Sequence, residues 1–112
     1  MIHNGEYIRD IFQKPIGFGV TARGWIKTRR DSKGVHFLQL SDGSTFKDLQ
    51  VVIDAGSVSD DAMKEATTGA SVRVVGTLVE SPAAGQPVEV KATDIEVIGA
   101  ADPASYPLQK KG

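Results

Sequence analysis

Cysteine is absent from the 112 residues. That excludes a disulfide framework, a thiolate zinc site and a thiol nucleophile, and makes a reducing compartment the simplest setting. Histidine occurs only as His3 and His36, and two imidazoles without thiolates do not make a metal centre. No segment approaches the apolar length needed to span a bilayer. The N-terminus shows neither a long apolar run nor a small-residue cleavage site. A soluble, cytoplasmic protein with no membrane partner is expected. Surplus positive charge is also missing: 13 Lys and Arg stand against 14 Asp and Glu, a net charge of −1. The total therefore does not advertise a nucleic-acid binder. The length suits one domain with a modest core and leaves no room for a second, catalytic domain.

Distribution says more than the sum. Arg23, Lys27, Arg29, Arg30 and Lys33 are opposed locally only by Asp31, whereas Asp54, Asp60, Asp61 and Glu65 gather in the middle of the chain. A lopsided molecule with one basic side able to meet phosphate is expected. Directly after the cations, Val35, Phe37 and Gln39 alternate with His36, Leu38 and Leu40. At a side-chain period of two, this strand has an aliphatic face, which would carry His36 into the core, and a mixed face bearing Phe37. An exposed ring beside an amide and cations is what stacking of an unpaired base beside a phosphate rim requires. A Phe37 that plugs a core above a solvated hairpin accounts for this stretch equally well.

Residues 1–17 read as a lead-in in which Ile8, Ile11 and Phe12 fall at helical spacing before Pro15 and Gly17. From Phe18 to Arg30 the pattern is extended, with Val20, Ala22 and Ile26 inward if Gly24 forms a bulge or sharp bend. Turns are expected at Asp31–Gly34 and Ser41–Ser44. A third strand runs from Phe46 to Asp54, where Leu49, Val51 and Ile53 alternate with Gln50 and Val52. Ser57 to Thr68 suits a short helix, capped by Ser57 or Ser59 and stopped by Gly69. Strands follow at Ser71–Glu80 and Val88–Ile98, the latter burying Val88, Val90, Ala92 and the Ile95–Ile98 segment while Glu89 and Lys91 face the other way. The loop at 81–87 and the tail at 100–112, which reads as a linker, complete the chain. Three strands, a helix and two strands define the fold class: all-β with one short helix, a five-stranded Greek-key OB-fold barrel over 18–99.

The segments Gly24-Trp25-Ile26-Lys27-Thr28-Arg29-Arg30-Asp31-Ser32-Lys33-Gly34, Phe37-Leu38-Gln39-Leu40-Ser41-Asp42-Gly43-Ser44 and Leu49-Gln50-Val51-Val52-Ile53 resemble the N-terminal anticodon-binding domain of asparaginyl-tRNA synthetases. Ser81-Pro82-Ala83-Ala84-Gly85-Gln86-Pro87-Val88-Glu89 is similar to the loop before that family's last strand, and Asp94–Gly99 to the strand itself. Tyr106-Pro107-Leu108-Gln109-Lys110-Lys111 looks like the join to its catalytic domain. The resemblance implies a domain that grips the anticodon stem-loop of an asparagine tRNA. It places Phe37 against the central uridine, Gln50 and Glu89 against bases and Arg30 in the same uridine region. The residues themselves make Lys27, Arg29 and Lys33 diffuse phosphate contacts rather than base readers. The resemblance implies no cofactor for this domain, and dimerisation of the parent enzyme through a catalytic domain. Parity agrees with it, since Phe37, Gln50 and Glu89 all lie opposite the aliphatic sets of their strands. Gln50 as one more solvent-facing residue and Glu89 as a cross-sheet partner of Lys91 or Arg23 are the plain competitors.

None of the three motifs that build a class II synthetase active site is present, so this stretch is not expected to aminoacylate alone. An excised domain fits the position of the last residues better than a free-standing relative. A general single-strand or tRNA-binding module and a protein-interaction domain are the alternatives to anticodon reading.

Overall fold

The computed structural model describes residues 6–81 and 88–99. Most of the loop expected at 81–87, and all of the tail expected at 100–112, lie outside these described residues. The elements are α1 (Ile8–Ile11), β1 (Gly19–Ser32), β2 (Val35–Ser41), β3 (Leu49–Asp54), α2 (Asp60–Glu65), β4 (Ser71–Glu80) and β5 (Val88–Gly99). The strands close into a barrel in the order β1-β2-β3-β5-β4. Every pairing is antiparallel except β3 with β5. This is the five-stranded OB-fold barrel, with α2 inserted between β3 and β4.

The barrel fills with the aliphatic half of each strand. Ile26, Leu38, Leu40, Leu49, Val51, Ile53, Val72, Val74, Leu78 and Val90 are fully buried. Each such side chain contributes roughly 1.5–3 kcal/mol of apolar burial. Ile8 and Ile11 of α1, together with Met63 and Ala66 around α2, belong to the same core. The first free amides of α1 are taken by the β2–β3 turn: Ile8 N–H donates to Asp42 Oδ2 (2.8 Å) and Arg9 N–H to Ser44 Oγ (3.1 Å). The helix end that has no side-chain cap of its own is thus satisfied from a neighbouring loop.

β1 changes partner at Trp25, which pairs with Ser41 of β2 and Ser71 of β4. One bent strand thereby serves both sides of the barrel. The irregularity is not at Gly24, as the sequence suggests, but between Ile26 and Thr28, where Lys27 is the additional residue. Gly24 meets a different demand, close approach, because a Cβ there would lie 2.3 Å from the Ser41 carbonyl oxygen. Gly76 is equally confined, 2.3 Å from the Lys91 carbonyl oxygen by the same measure.

Four further expectations are corrected. β3 begins at Leu49, and Phe46 stands 98% exposed in the preceding loop. α2 is shorter than Ser57–Thr68: Ser57 Oγ donates to the Asp54 carbonyl in a turn, Ser59 Oγ caps the Ala62 amide, and Ala66 already leaves helical geometry. His36 keeps the parity of Leu38 and Leu40 but sits at the strand end opposite Asp31, half-buried rather than in the core. Ile98 at the far end of β5 is exposed.

No helix among the described residues is long and apolar enough to cross a membrane.

Candidate nucleic-acid interface

Four strands present one outward surface. Arg30 of β1 is in register with Phe37 of β2, Phe37 with Val52 of β3, and Val52 with Lys91 of β5. One step along the strands, Thr28 pairs with Gln39 and Gln39 with Gln50. Gln50 then reaches Glu89 of β5, donating from Nε2 to Oε1 at 2.8 Å. Arg30, Phe37, Gln50 and Glu89, nominated from the sequence on four different segments, therefore occupy two adjacent rows of one face.

Within the first row the Arg30 guanidinium lies over the Phe37 ring, 4.2 Å from its centroid. The ring is half-buried and outside the aliphatic core. Val52 faces outward by parity yet is only 8% exposed, between Phe37 and Lys91 on the neighbouring strands. Lys91 Nζ is 3.0 Å from Asp54 Oδ2, so Lys91 does not neutralise Glu89. In the second row Glu89 is a buried carboxylate at 8% exposure. Its cross-strand neighbour on β4 is Val79, which offers it no side-chain donor. Gln50 is thus the side chain seen to satisfy it.

The cations do not form a single rim. Arg29 pairs with Leu38 across the sheet and turns to the end of α2, where its Nη1 donates to the carbonyls of Met63 and Ala66. Its Nε donates to Asp31 Oδ1 at 3.0 Å. A guanidinium so occupied replaces missing helix-end donors rather than standing at the Phe37 surface. Lys27 remains half-exposed, 3.6 Å from Asp48 Oδ1. Lys33 is exposed in the β1–β2 turn. Arg23 lies opposite Arg73 on β4, away from Phe37.

Asp31 accepts from Arg29 and lies 2.9 Å from His36 Nδ1. The Arg29 hydrogen bond first, then that of His36, holds its carboxyl below the ordinary carboxylate value. Among the described residues no group of His, Cys, Asp and Glu could hold a metal ion.

Gln39 and Lys91 also belong to this surface. Their parity relative to Phe37 and Glu89 is readable in the sequence; the register that sets them beside Gln50 and Val52 is not.

Residues 20–98 match the tRNA anticodon family model, described as an OB-fold nucleic acid binding domain. The chain belongs to this anticodon-type OB-fold family. The anticodon-type domain is 56% identical over 111 residues to asparagine–tRNA ligase of Solibacter usitatus, a match covering 99% of this chain and 24% of the ligase. It is 52% identical over 96 residues to the Parabacteroides distasonis ligase, covering 86% and 20%. The chain thus spans a quarter or less of these curated relatives. In fold it is similar to asparaginyl-tRNA synthetase of Pyrococcus horikoshii, with a TM-score of 0.76 at 24% identity over 98% of this chain and 27% of that one. The same fold recurs in an OBody bound to hen egg-white lysozyme, with a TM-score of 0.74 at 20% identity, covering 90% and 99% of the two chains.

Proposed function

We propose that this anticodon-type domain serves an asparagine–tRNA ligase by binding the anticodon stem-loop of an asparagine tRNA and reading its unpaired bases. The observation that carries the reading is the single outward face on which Arg30, Phe37, Gln50 and Glu89 converge from β1, β2, β3 and β5. Phe37 supplies a stacking surface, sequence-tolerant in itself because every base has a π-face. Gln50 supplies hydrogen bonds to the edge of the stacked base, with Glu89 beside it and Arg30 at the same base and its phosphate. Lys27 and Lys33 contribute diffuse phosphate contacts that position the loop without reading sequence.

In this reading the domain performs no chemistry and needs no cofactor. Adenylation and transfer belong to the remaining length of the ligase, which is also where dimerisation is expected. The setting is the cytoplasm, where tRNA is charged.

Fluorescence titration with a labelled asparagine anticodon hairpin tests the proposal. Exchanging the central uridine for adenosine is expected to weaken binding by roughly 1–3 kcal/mol, the range for one hydrogen-bonded base edge. Raising salt should weaken both hairpins through counterion uptake. Equal affinity for the two hairpins would reduce the domain to a general single-strand binder, and no binding at moderate salt would remove RNA as its partner.

A further inference from the structure

We infer that Arg23 and Arg73, on the part of the barrel wall away from Phe37, form a binding site for a phosphate group. The inference does not depend on anticodon reading and uses no residue of that surface.

One row of side chains crosses β1, β4 and β5 here: Arg23 is opposite Arg73, and Arg73 is opposite Glu96. Arg73 has its partner. Its Nε (3.0 Å) and Nη2 both donate to Glu96 Oε1, which occupies that edge of the guanidinium and leaves Nη1. Arg23 has none. It is half-buried, and its side chain makes no hydrogen bond, ion pair or ring contact among the described residues. Like charges set directly opposite each other on neighbouring strands destabilise a sheet, and one carboxylate does not neutralise two guanidiniums. The other acids nearby do not supply the missing charge. Asp94 stands in the next row, opposite Val75, and pairs with neither arginine. Glu6, bridged to β1 at Ala22, is taken by the Thr21 amide and Lys14.

The row opens into a cleft of about 270 Å³ lined by Arg23, Arg73, Glu96 and Ile98. Ile98 forms its apolar wall because β5 bulges there: Val97 pairs with Val72 and Gly99 with Ser71, so Ile98 is left without a partner and stands 44% exposed. Two guanidiniums and one carboxylate leave a single positive charge, which a phosphodiester would neutralise. The guanidinium is a planar fork matched to phosphate oxygens, and a phosphate offers oxygens to both forks at once. An opposition that weakens the empty sheet thereby becomes the means of holding an anion.

Thermal unfolding of the 112-residue domain across a series of inorganic phosphate concentrations, with ionic strength matched by chloride, tests this. Without phosphate, Arg23→Gln should unfold at the wild-type temperature or above it, because the like-charge pair is gone. Phosphate should raise the wild-type midpoint saturably, by about 2–4 °C more than that of Arg23→Gln. Lys64→Gln, which removes an exposed cation of α2, should respond as the wild type does. In NMR spectra the Arg23 Nε–H resonance should shift with the same phosphate midpoint.

A second arm separates the two sources of phosphate. If the group belongs to RNA, Arg23→Gln lowers the salt slope for complete asparagine tRNA by about 0.7; if it belongs to a small phosphorylated ligand, that slope stays and the thermal response remains. Equal phosphate responses in wild type and Arg23→Gln, with an Arg23 resonance that does not move, overturn the inference whatever the RNA arm gives. A phosphate-free midpoint for Arg23→Gln well below the wild-type value also overturns it, by making Arg23 a structural residue.

Discussion

The Arg30 guanidinium packs on the Phe37 ring at 4.2 Å from its centroid, between residues that are directly opposed on β1 and β2. At a half-exposed site such a contact contributes about 0.5–1 kcal/mol, enough to bias the ring's posture. It also places a delocalised cation beside the base that the ring would receive.

Phe37→Ala should accordingly weaken binding to the asparagine anticodon hairpin by roughly 1–3 kcal/mol, read by fluorescence titration. Because the ring is outside the aliphatic core, the thermal midpoint should move little. The reverse pattern, unchanged affinity with a large loss of stability, would make Phe37 a packing residue.

Arg29 and Lys33 should separate cleanly. Arg29→Ala removes the donors that the Met63 and Ala66 carbonyls use, and is expected to cost about 1–3 kcal/mol of stability in urea unfolding. The salt slope of RNA binding should remain as it was. Lys33→Ala should leave stability within about 0.5 kcal/mol and lower the salt slope by about 0.7. A reduced slope in Arg29→Ala would return that residue to the phosphate rim.

Gly76→Ala would drive a methyl group to 2.3 Å from the Lys91 carbonyl oxygen and 2.9 Å from Ala92 Cα, both backbone atoms of β5. A loss of roughly 1–3 kcal/mol is expected. Gly19→Ala, whose nearest neighbour would be 3.9 Å away, is the control and should be near neutral. Matching urea midpoints for the two variants would refute the close-approach account.

Asp31 sets a pH dependence. Its folded carboxyl titrates below the ordinary value because of the Arg29 and then the His36 hydrogen bonds. The stabilisation is therefore present above the unfolded carboxyl pKa, about 4, and is lost as pH falls through the depressed folded value. The stability advantage of the wild type over Asp31→Asn should shrink as the solution is acidified below about pH 4. Carboxyl carbon chemical shifts should place the Asp31 midpoint below that of an unfolded peptide; a raised midpoint would reverse the assignment.

Much of this surface was legible in the sequence because strand parity is a local property. The alternation of Leu38 and Leu40 with Phe37, of Leu49, Val51 and Ile53 with Gln50, and of Val88 and Val90 with Glu89 assigns each polar or aromatic residue to the outside. The OB-fold followed from element order. What alternation cannot supply is the relation between strands. Whether Gly24 relieves a bulge or admits a neighbouring carbonyl depends on where Ser41 passes. Whether Arg29 meets phosphate or a helix depends on where α2 ends. His36 carries the right parity for the core and faces the buried Ile53 on one side, but it sits at the strand end, where its partner on β1 is Asp31 rather than an aliphatic residue. The Gln50–Glu89 contact joins residues 39 positions apart and exists only because β3 and β5 run parallel.

The additional residue at Lys27 has an effect beyond its own position. Up to Ile26, even-numbered side chains of β1 point inward, as Val20 and Ala22 also do; after the insertion, Arg29 turns in and Arg30 turns out. Were Lys27 instead taken into the ladder opposite Gln39, the rest of the strand would slip by one place, sending Arg30 inward and Arg29 over the aromatic ring, whereas excising Lys27 would leave both where they are. Which of two adjacent, chemically identical side chains meets the ring is thus decided upstream, by whether the strand pairs or loops out a single residue.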